Sequence, residues 1–409
     1  MPFSFILPIT VSAVGLILLV RYRFFMLRHP GRIIAELISG LKEKGARRSF
    51  FLALAGTLGV GNIFGVSAGI MIGGAGVVFW IFLSSLFSAV IKYAEVLLVF
   101  KNRADGGMAA VIGRSLPLGR LFSPLYAGLT LMLSLFMGAS LQSEALMDVA
   151  ESSVGISPTF TGICLVVLLI PAFVGGVEKI EKITEKLIPM TTIIYIIMCF
   201  GAIFVNSDRL ADAISDIFSS ALSCRAILGG GAAVAIREGF SRGIMSNEAG
   251  SGTSALAHSR DMERTPHTAG LFGMCEVLFD TTILCTLTGV AILCSCPNFV
   301  DFSTPMALVF AAFHGSLGAL GGLLLPIILC FAYSTVICWF YYGSVYCDQY
   351  FGGHKRIYLS LFIAFILLTP FLPSIPILYL TDLILLLMSC LTLAVIVKEC
   401  RGTKKELPI

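Results

Sequence analysis

The sequence predicts an all-α integral membrane protein of about eleven transmembrane helices, arranged as two inverted groups of five behind an extra N-terminal helix. Three observations carry that expectation. Of 409 residues, 57% are hydrophobic and 13% charged, where ordinary soluble domains carry about 25% charged residues. So little charge cannot cover a globular surface in water, and lipid must solvate most of the chain. Long stretches such as 377–397 are apolar almost without interruption, enough for a hydrocarbon core of ~30 Å. Finally, two of the candidate spans are broken by glycines at corresponding places in the two groups.

The candidate spans are 3–20, 50–72, 77–100, 121–147, 159–176, 187–205, 213–240, 269–294, 317–346, 357–372 and 377–397. The start of the chain lacks a basic segment and a small-residue cleavage site, so the first span reads as a retained helix and not a signal peptide. It is followed by a basic stretch with Lys42, Lys44, Arg47 and Arg48. Segments 101–120, 176–186, 241–268 and 348–356 then read as loops on the same side. All but three of the 28 Lys and Arg fall there, the exceptions being Lys92, Arg209 and Arg225. The positive-inside rule makes that side the cytoplasm, with the N-terminus outside and the C-terminus inside. A net charge of +4 so distributed needs no nucleic acid to explain it. The division expected is 1–46 for the N-terminal helix and basic segment, 47–206 and 207–397 for the two groups of five, and 398–409 for a cytoplasmic tail.

The broken spans read Leu54-Ala-Gly-Thr-Leu-Gly-Val-Gly-Asn62 and Arg225-Ala-Ile-Leu-Gly-Gly-Gly-Ala-Ala-Val234. Each Gly costs about 1 kcal/mol against Ala in a helix. Non-helical backbone at membrane depth survives only where protein or a water-filled cavity satisfies it. Two breaks in inverted halves point to a transporter with a site between discontinuous helices. Glycines that merely allow close helix packing are the plainer explanation for either span taken alone.

A half-helix N-terminus offers free amides and a positive dipole end. The amides of Gly59, Val60 and Gly61 are therefore candidates for a substrate carboxylate, with Thr57 and Asn62 at the same depth. The carbonyls of Ala55 and Leu58 lose their helical partners and, with the hydroxyls of Ser334 and Thr335, offer oxygens to a small cation. Gln142 lies mid-span, and Thr335 and Trp339 share a helix face four residues apart. Sodium as coupling ion is thus the only cofactor expected. Charged residues inside spans are functional candidates by default. Lys92 and Glu95 read as a neutralising pair, whereas Glu276 and Asp280 show no adjacent base.

The twelve cysteines sit mostly in apolar segments as packing residues, and no CxxC pair occurs. Nothing argues for catalysis: there is no HExxH, paired-Asp metal motif or Gly-Lys-Ser/Thr loop. A non-transporting receptor would show a soluble output domain, and a channel repeated charged rings. Neither is evident.

Several runs resemble the alanine/glycine:cation symporter family. These are Ala53-Leu-Ala-Gly-Thr-Leu-Gly-Val-Gly-Asn-Ile-Phe-Gly-Val66, Gly73-Gly-Ala-Gly-Val-Val-Phe-Trp80, Lys92-Tyr-Ala-Glu-Val96, Arg242-Gly-Ile-Met-Ser-Asn-Glu-Ala-Gly-Ser-Gly252, Phe279-Asp-Thr-Thr282 and Tyr341-Tyr-Gly343. The resemblance implies eleven spans with a five-plus-five repeat of the leucine-transporter type, and sodium-driven uptake of small amino acids, L- or D-, across the cell membrane. It also implies that Gly59, Val60, Gly61, Gln142, Gly229, Thr335 and Trp339 face the substrate. The sequence departs from the family pattern at Phe82, at Gly106-Gly107-Met108 and at Arg225-Ala226, where an acidic residue commonly precedes the glycines. Proton-coupled or sodium-independent permeation of a different amino acid is the alternative that these departures keep open.

Overall fold

The computed structural model describes residues 5–222 and 231–402. Among them there is no strand, and the helices follow one another through short connections. Helix α1 spans Ile6–Arg21, and the basic stretch after it holds an amphipathic helix, α2, Pro30–Gly40. Helices α3, Lys44–Thr57, and α4, Val66–Gly73, are two halves of one bent element. Next come α5, Val77–Lys101, and α6, Gly107–Ser115. Then follow the long helices α7, Gly119–Val154, and α8, Pro158–Val205. Helix α8 is interrupted at Gly176, whose φ of 61° and ψ of −164° leave the helical region.

The second half begins with α9, Leu210–Leu222, and α10, Gly231–Asn247. It continues through α11, Pro266–Ser295, to α12, Pro305–Leu317. Helices α13, Leu324–Tyr350, α14, Lys355–Leu368, and α15, Ser374–Gly402, complete the chain. Six helical stretches among the described residues are long and apolar enough to cross a membrane. The pair Lys44–Thr57 and Gly61–Gly73, bent by 49°, makes a seventh.

The outer surface explains the composition. Along α8, Ile163, Val167, Ile170 and Val174 stand exposed, as do Ile193, Ile197 and Phe204. Val174 is 84% exposed and Phe204 79%. Contiguous apolar surface of this kind is foreign to a water-soluble monomer and is the face expected toward lipid. Polar side chains point inward instead: Lys92, Glu95, His258, Glu276 and Asp280 all have no exposed surface.

Three segments differ from the sequence-based expectation. Loop 101–120 contains α6, whose residues Met108, Ala109, Val111 and Ile112 are fully buried. Segment 176–186 is helical beyond the Gly176 kink. The expected second break, with Gly229 and Arg225, lies outside the described residues. The third difference is 248–254, a non-helical stretch after α10 that the sequence reading places in a cytoplasmic loop. Glu248, Gly250 and Gly252 there have φ of 54°, 96° and 78°, a left-handed cluster that no helix accommodates. Hydropathy discounts so polar a run. It is nonetheless buried, because neighbouring helices satisfy its backbone: Gly250 N donates to Glu95 Oε1 at 2.6 Å, and Tyr126 Oη donates to Ser251 O at 2.6 Å.

Candidate substrate and ion site

The first break follows from where its amides go. In an unbroken helix Gly59 N would donate to Ala55 O, and Val60 N to Gly56 O. Instead Gly59 N donates to Thr57 O at 2.9 Å and to Asn62 Oδ1 at 3.2 Å. Val60 N donates to Gln142 Oε1 at 3.3 Å. Leu58, with ψ of 80°, turns the chain out of α3. Its carbonyl accepts from Thr335 Oγ1 at 3.1 Å. Residues Gly61–Gly65 then resume as a π-helical turn.

Glycine leaves room for polar side chains at one of the two flanking positions. A Cβ on Gly59 would stand 2.9 Å from Gln142 Oε1 and 3.2 Å from Thr335 Oγ1, whereas one on Gly61 would meet nothing within 4 Å. Gly61 borders open space, so the two glycines have different roles.

That space is a cavity of about 460 Å³. Gly56, Thr57, Gly59, Val60 and Gly61 border it from the first break, and Gln142 and Glu144 from α7. Arg242, Met245 and Ser246 approach from α10, Pro305 from the start of α12, and Leu378 and Thr381 from α15. Of the residues expected at a substrate site, the fold thus brings Thr57, Gly59, Val60, Gly61 and Gln142 to one surface. Arg242, read from sequence as a loop residue, lines it too. Thr57 turns its hydroxyl back to Leu54 O at 3.3 Å.

Three expected residues sit behind the wall. Asn62 is buried, and its Nδ2 donates to Asp280 Oδ1 at 2.6 Å and Asp280 O at 3.1 Å. It therefore ties the first break to α11 as well as capping Gly59. Trp339 has no exposed surface and does not border the cavity. Its ring lies edge-on to Tyr342 with centroids 5.4 Å apart, and its Cβ stands where a Cβ on Gly138 would be 2.3 Å away. Absence of a side chain at Gly138 is what lets the indole pack there, so Trp339 supports the wall. Thr335 is buried directly beneath Gly59.

The expected cation oxygens converge in part. Thr335 Oγ1 lies 3.1 Å from Leu58 O and 2.9 Å from Phe331 O, and Ser334 Oγ lies 2.9 Å from Phe331 O. Two hydroxyls and two carbonyls thus lie within hydrogen-bond distance of one another. Phe331 O was missed in the sequence, because a carbonyl inside an apolar helix leaves no side-chain signal.

Sequence reasoning named the acids Asp280 and Glu276 but not the partners that the fold gives them. Asp280 Oδ2 accepts from Ser246 Oγ at 2.7 Å and from Thr281 Oγ1 at 2.6 Å, so the carboxylate joins α10, α11 and the first break. Nor does Glu276 lack a base: Lys92 Nζ lies 3.7 Å from its Oε1, and His258 Nε2 lies 3.0 Å from its Oε2. Lys92 therefore faces two carboxylates, since Glu95 Oε2 is 3.8 Å away. Three π-helical stretches, Gly61–Gly65, Ser134–Leu141 and Leu278–Cys285, lie at or beside the site. Such widened turns re-aim side chains and recur at functional sites; here they precede Gln142 and contain Asp280.

Helices interrupted around an internal cavity, in a chain clothed in apolar residues, define a multi-pass membrane transporter. A profile of the Sodium:alanine symporter family matches residues 1–405, and the chain belongs to that family. It is similar to the sodium/alanine symporter AgcS of Methanococcus maripaludis, with 32% identity over 335 residues, 78% of this chain and 73% of that one. It is also similar to a Bacillus subtilis protein named "Probable sodium/glutamine symporter GlnT", with 28% identity over 360 residues, 83% of this chain and 74% of that one. Among solved structures, MhsT in complex with L-phenylalanine matches with a TM-score of 0.60 over 85% of this chain and 87% of that one. At 15% identity that likeness is one of fold.

Proposed function

We propose that this protein carries a small amino acid into the cell together with sodium, by alternating access around the first helix break. The observation that carries the reading is the division of labour at that break. Gly59, Val60 and Gly61 line the cavity, with the Val60 amide held there by the exchangeable side chain of Gln142, while Leu58 O turns away toward Thr335. A carboxylate suits the first set, and a small hard cation suits Ala55 O, Leu58 O, Ser334 Oγ and Thr335 Oγ1. Phe331 O joins that ion set by its position between the two hydroxyls. Gln142 positions Val60 and borders the ligand; Asn62 holds the break against Asp280. Thr335 and Trp339 shape the floor and wall of the site.

The same reading assigns 47–206 and 207–397 to two inverted five-helix repeats, which with α1 give eleven spans. Residues 1–46 and 398–409 flank them, and the C-terminus is cytoplasmic. The names of the two relatives support sodium and a small amino acid, and they differ in which one.

The deciding experiment is uptake by purified protein in liposomes, screened across small neutral, acidic and D-amino acids with and without an inward sodium gradient. Concentrative uptake of at least one small amino acid only with sodium is expected. Equal uptake without sodium, at fixed pH and membrane potential, would overturn the coupling.

A further inference from the structure

The buried turn 248–254 carries a carboxylate that neither the substrate nor the sodium reading uses. Glu248 is 2% exposed and has a left-handed backbone, with φ of 54°. A side chain of its size seldom adopts that conformation unless its surroundings impose it. Thr253 Oγ1 donates to Glu248 Oε2 at 2.6 Å, and Ser251 Oγ donates to Glu248 O at 2.6 Å. Glu248 Oε1 has no hydrogen-bond partner among the described residues.

The charges around it are fixed by geometry. Lys92 of α5 and Glu276 and Asp280 of α11 act on it, and Glu95 and His258 belong to the same cluster through Lys92 and Glu276. Tyr126 of α7 and Tyr342 and Cys338 of α13 complete the enclosure. Lys92 Nζ lies within 4 Å of Glu95 and Glu276 and donates to Ser254 Oγ at 3.0 Å, and His258 pairs with Glu276. Arg264, beside His258, is turned toward Ser49, Asp261 and the ring of Phe272. Burial pushes its guanidinium down to about 10, so it stays charged at neutral pH. Lys92, the amine that also acts on Glu248, is thus already shared by two nearer carboxylates. An ionised Glu248 would add a further buried negative charge to that single amine, which proteins avoid by neutralising the group.

We propose that Glu248 is a proton-binding residue, holding a proton while the buried turn 248–254 is closed and releasing it to water when that turn opens. The link to opening rests on the broken-helix transporter reading; the proton itself does not. No bond other than O–H is made or broken, and water accepts the proton on release. The consequence is a conformational step whose ease depends on pH, with the closed arrangement favoured at lower pH and weakened as pH rises.

Infrared spectroscopy of the purified protein, without substrate, tests the proton. At neutral pH the wild type is expected to show the carbonyl stretch of a buried protonated acid, shifted in heavy water, and Glu248→Gln to lack that component. Glu248→Asp keeps an acid and should move the band, which covers the case in which the glutamine variant does not fold. An unchanged band in both variants, or none in the wild type, overturns the proposal. Sodium-driven uptake with equal pH on both sides tests the link to opening. Wild-type uptake should change several-fold between mildly acidic and alkaline pH, and the Glu248→Gln profile should be flat. A band that disappears with an unaltered profile would leave the proton in place and sink its link to opening. Loss of uptake in every protein, with the band intact, would count against the transport reading instead.

Discussion

Gly59 and Gly61 look equivalent in the sequence and are opposed in space. A methyl on Gly59 must shift the Gln142 amide that holds Val60 N, and it crowds Thr335, which holds Leu58 O. Gly59→Ala is therefore expected to lower uptake at least ten-fold while the protein still reaches the membrane. Gly61→Ala meets open space, so it should fold normally and exclude the largest substrates first. Competition by amino acids of increasing side-chain size, for both variants, checks the contrast. At the floor, Thr335 supplies an oxygen that Ser can also supply. Thr335→Ala should raise the sodium concentration needed for half-maximal uptake several-fold, and Thr335→Ser should restore most of it. If both variants match the wild type, Thr335 has no part in the ion set.

Half-helix α3 is the element whose displacement would open the site from the basic side, and its holds can be named. Arg47 Nη2 and Arg48 Nε reach the two oxygens of Glu185 on α8 at 2.7 and 2.8 Å. Deeper in, Cys338 Sγ donates to Leu52 O at 3.1 Å. With Arg47 more than a third exposed, ion pairs of this kind contribute up to about 1 kcal/mol each. Glu185→Ala removes both and should shift the balance toward the opened form by about a factor of ten, the effect of ~1.4 kcal/mol. Cys338 is buried and provides a native reporter. Its alkylation rate should rise in Glu185→Ala in proportion and stay near the wild-type rate in Arg47→Ala, where Arg48 still holds. An unaltered rate would show that α3 is not held at that end.

For the whole molecule, the exposed apolar belt marks the surface toward lipid, and the distribution of Lys and Arg predicts which end faces the cytoplasm. A reporter that functions only in the cytoplasm should be active when fused at the C-terminal tail and silent when fused ahead of α1. The reverse pattern would invert the orientation and with it the direction of the proposed proton release. At this scale the bilayer reverses the usual inside-out rule. Apolar side chains such as Phe204 face outward, and charged groups gather where helices meet. This is why Lys92, Glu95, Glu276 and His258, far apart in sequence, form one buried cluster.

Lipid solvation, helical structure and the first break were legible in the sequence, because each depends on local composition or on glycines within one element. Gly59, Val60, Gly61 and Gln142 could be named for the same reason: a glycine break and a lone amide stand out against an apolar span. The tertiary structure alone decided what those residues face. It placed Asn62 on Asp280 and Trp339 behind Gly138, and it brought 248–254 from an apparent loop into the core. Hydropathy scores a residue by its own transfer energy, whereas a polar run is buried when other helices supply its hydrogen bonds. Those partners, Glu95 to Gly250 and Tyr126 to Ser251, are separated by 155 and 125 residues, a distance that only folding closes.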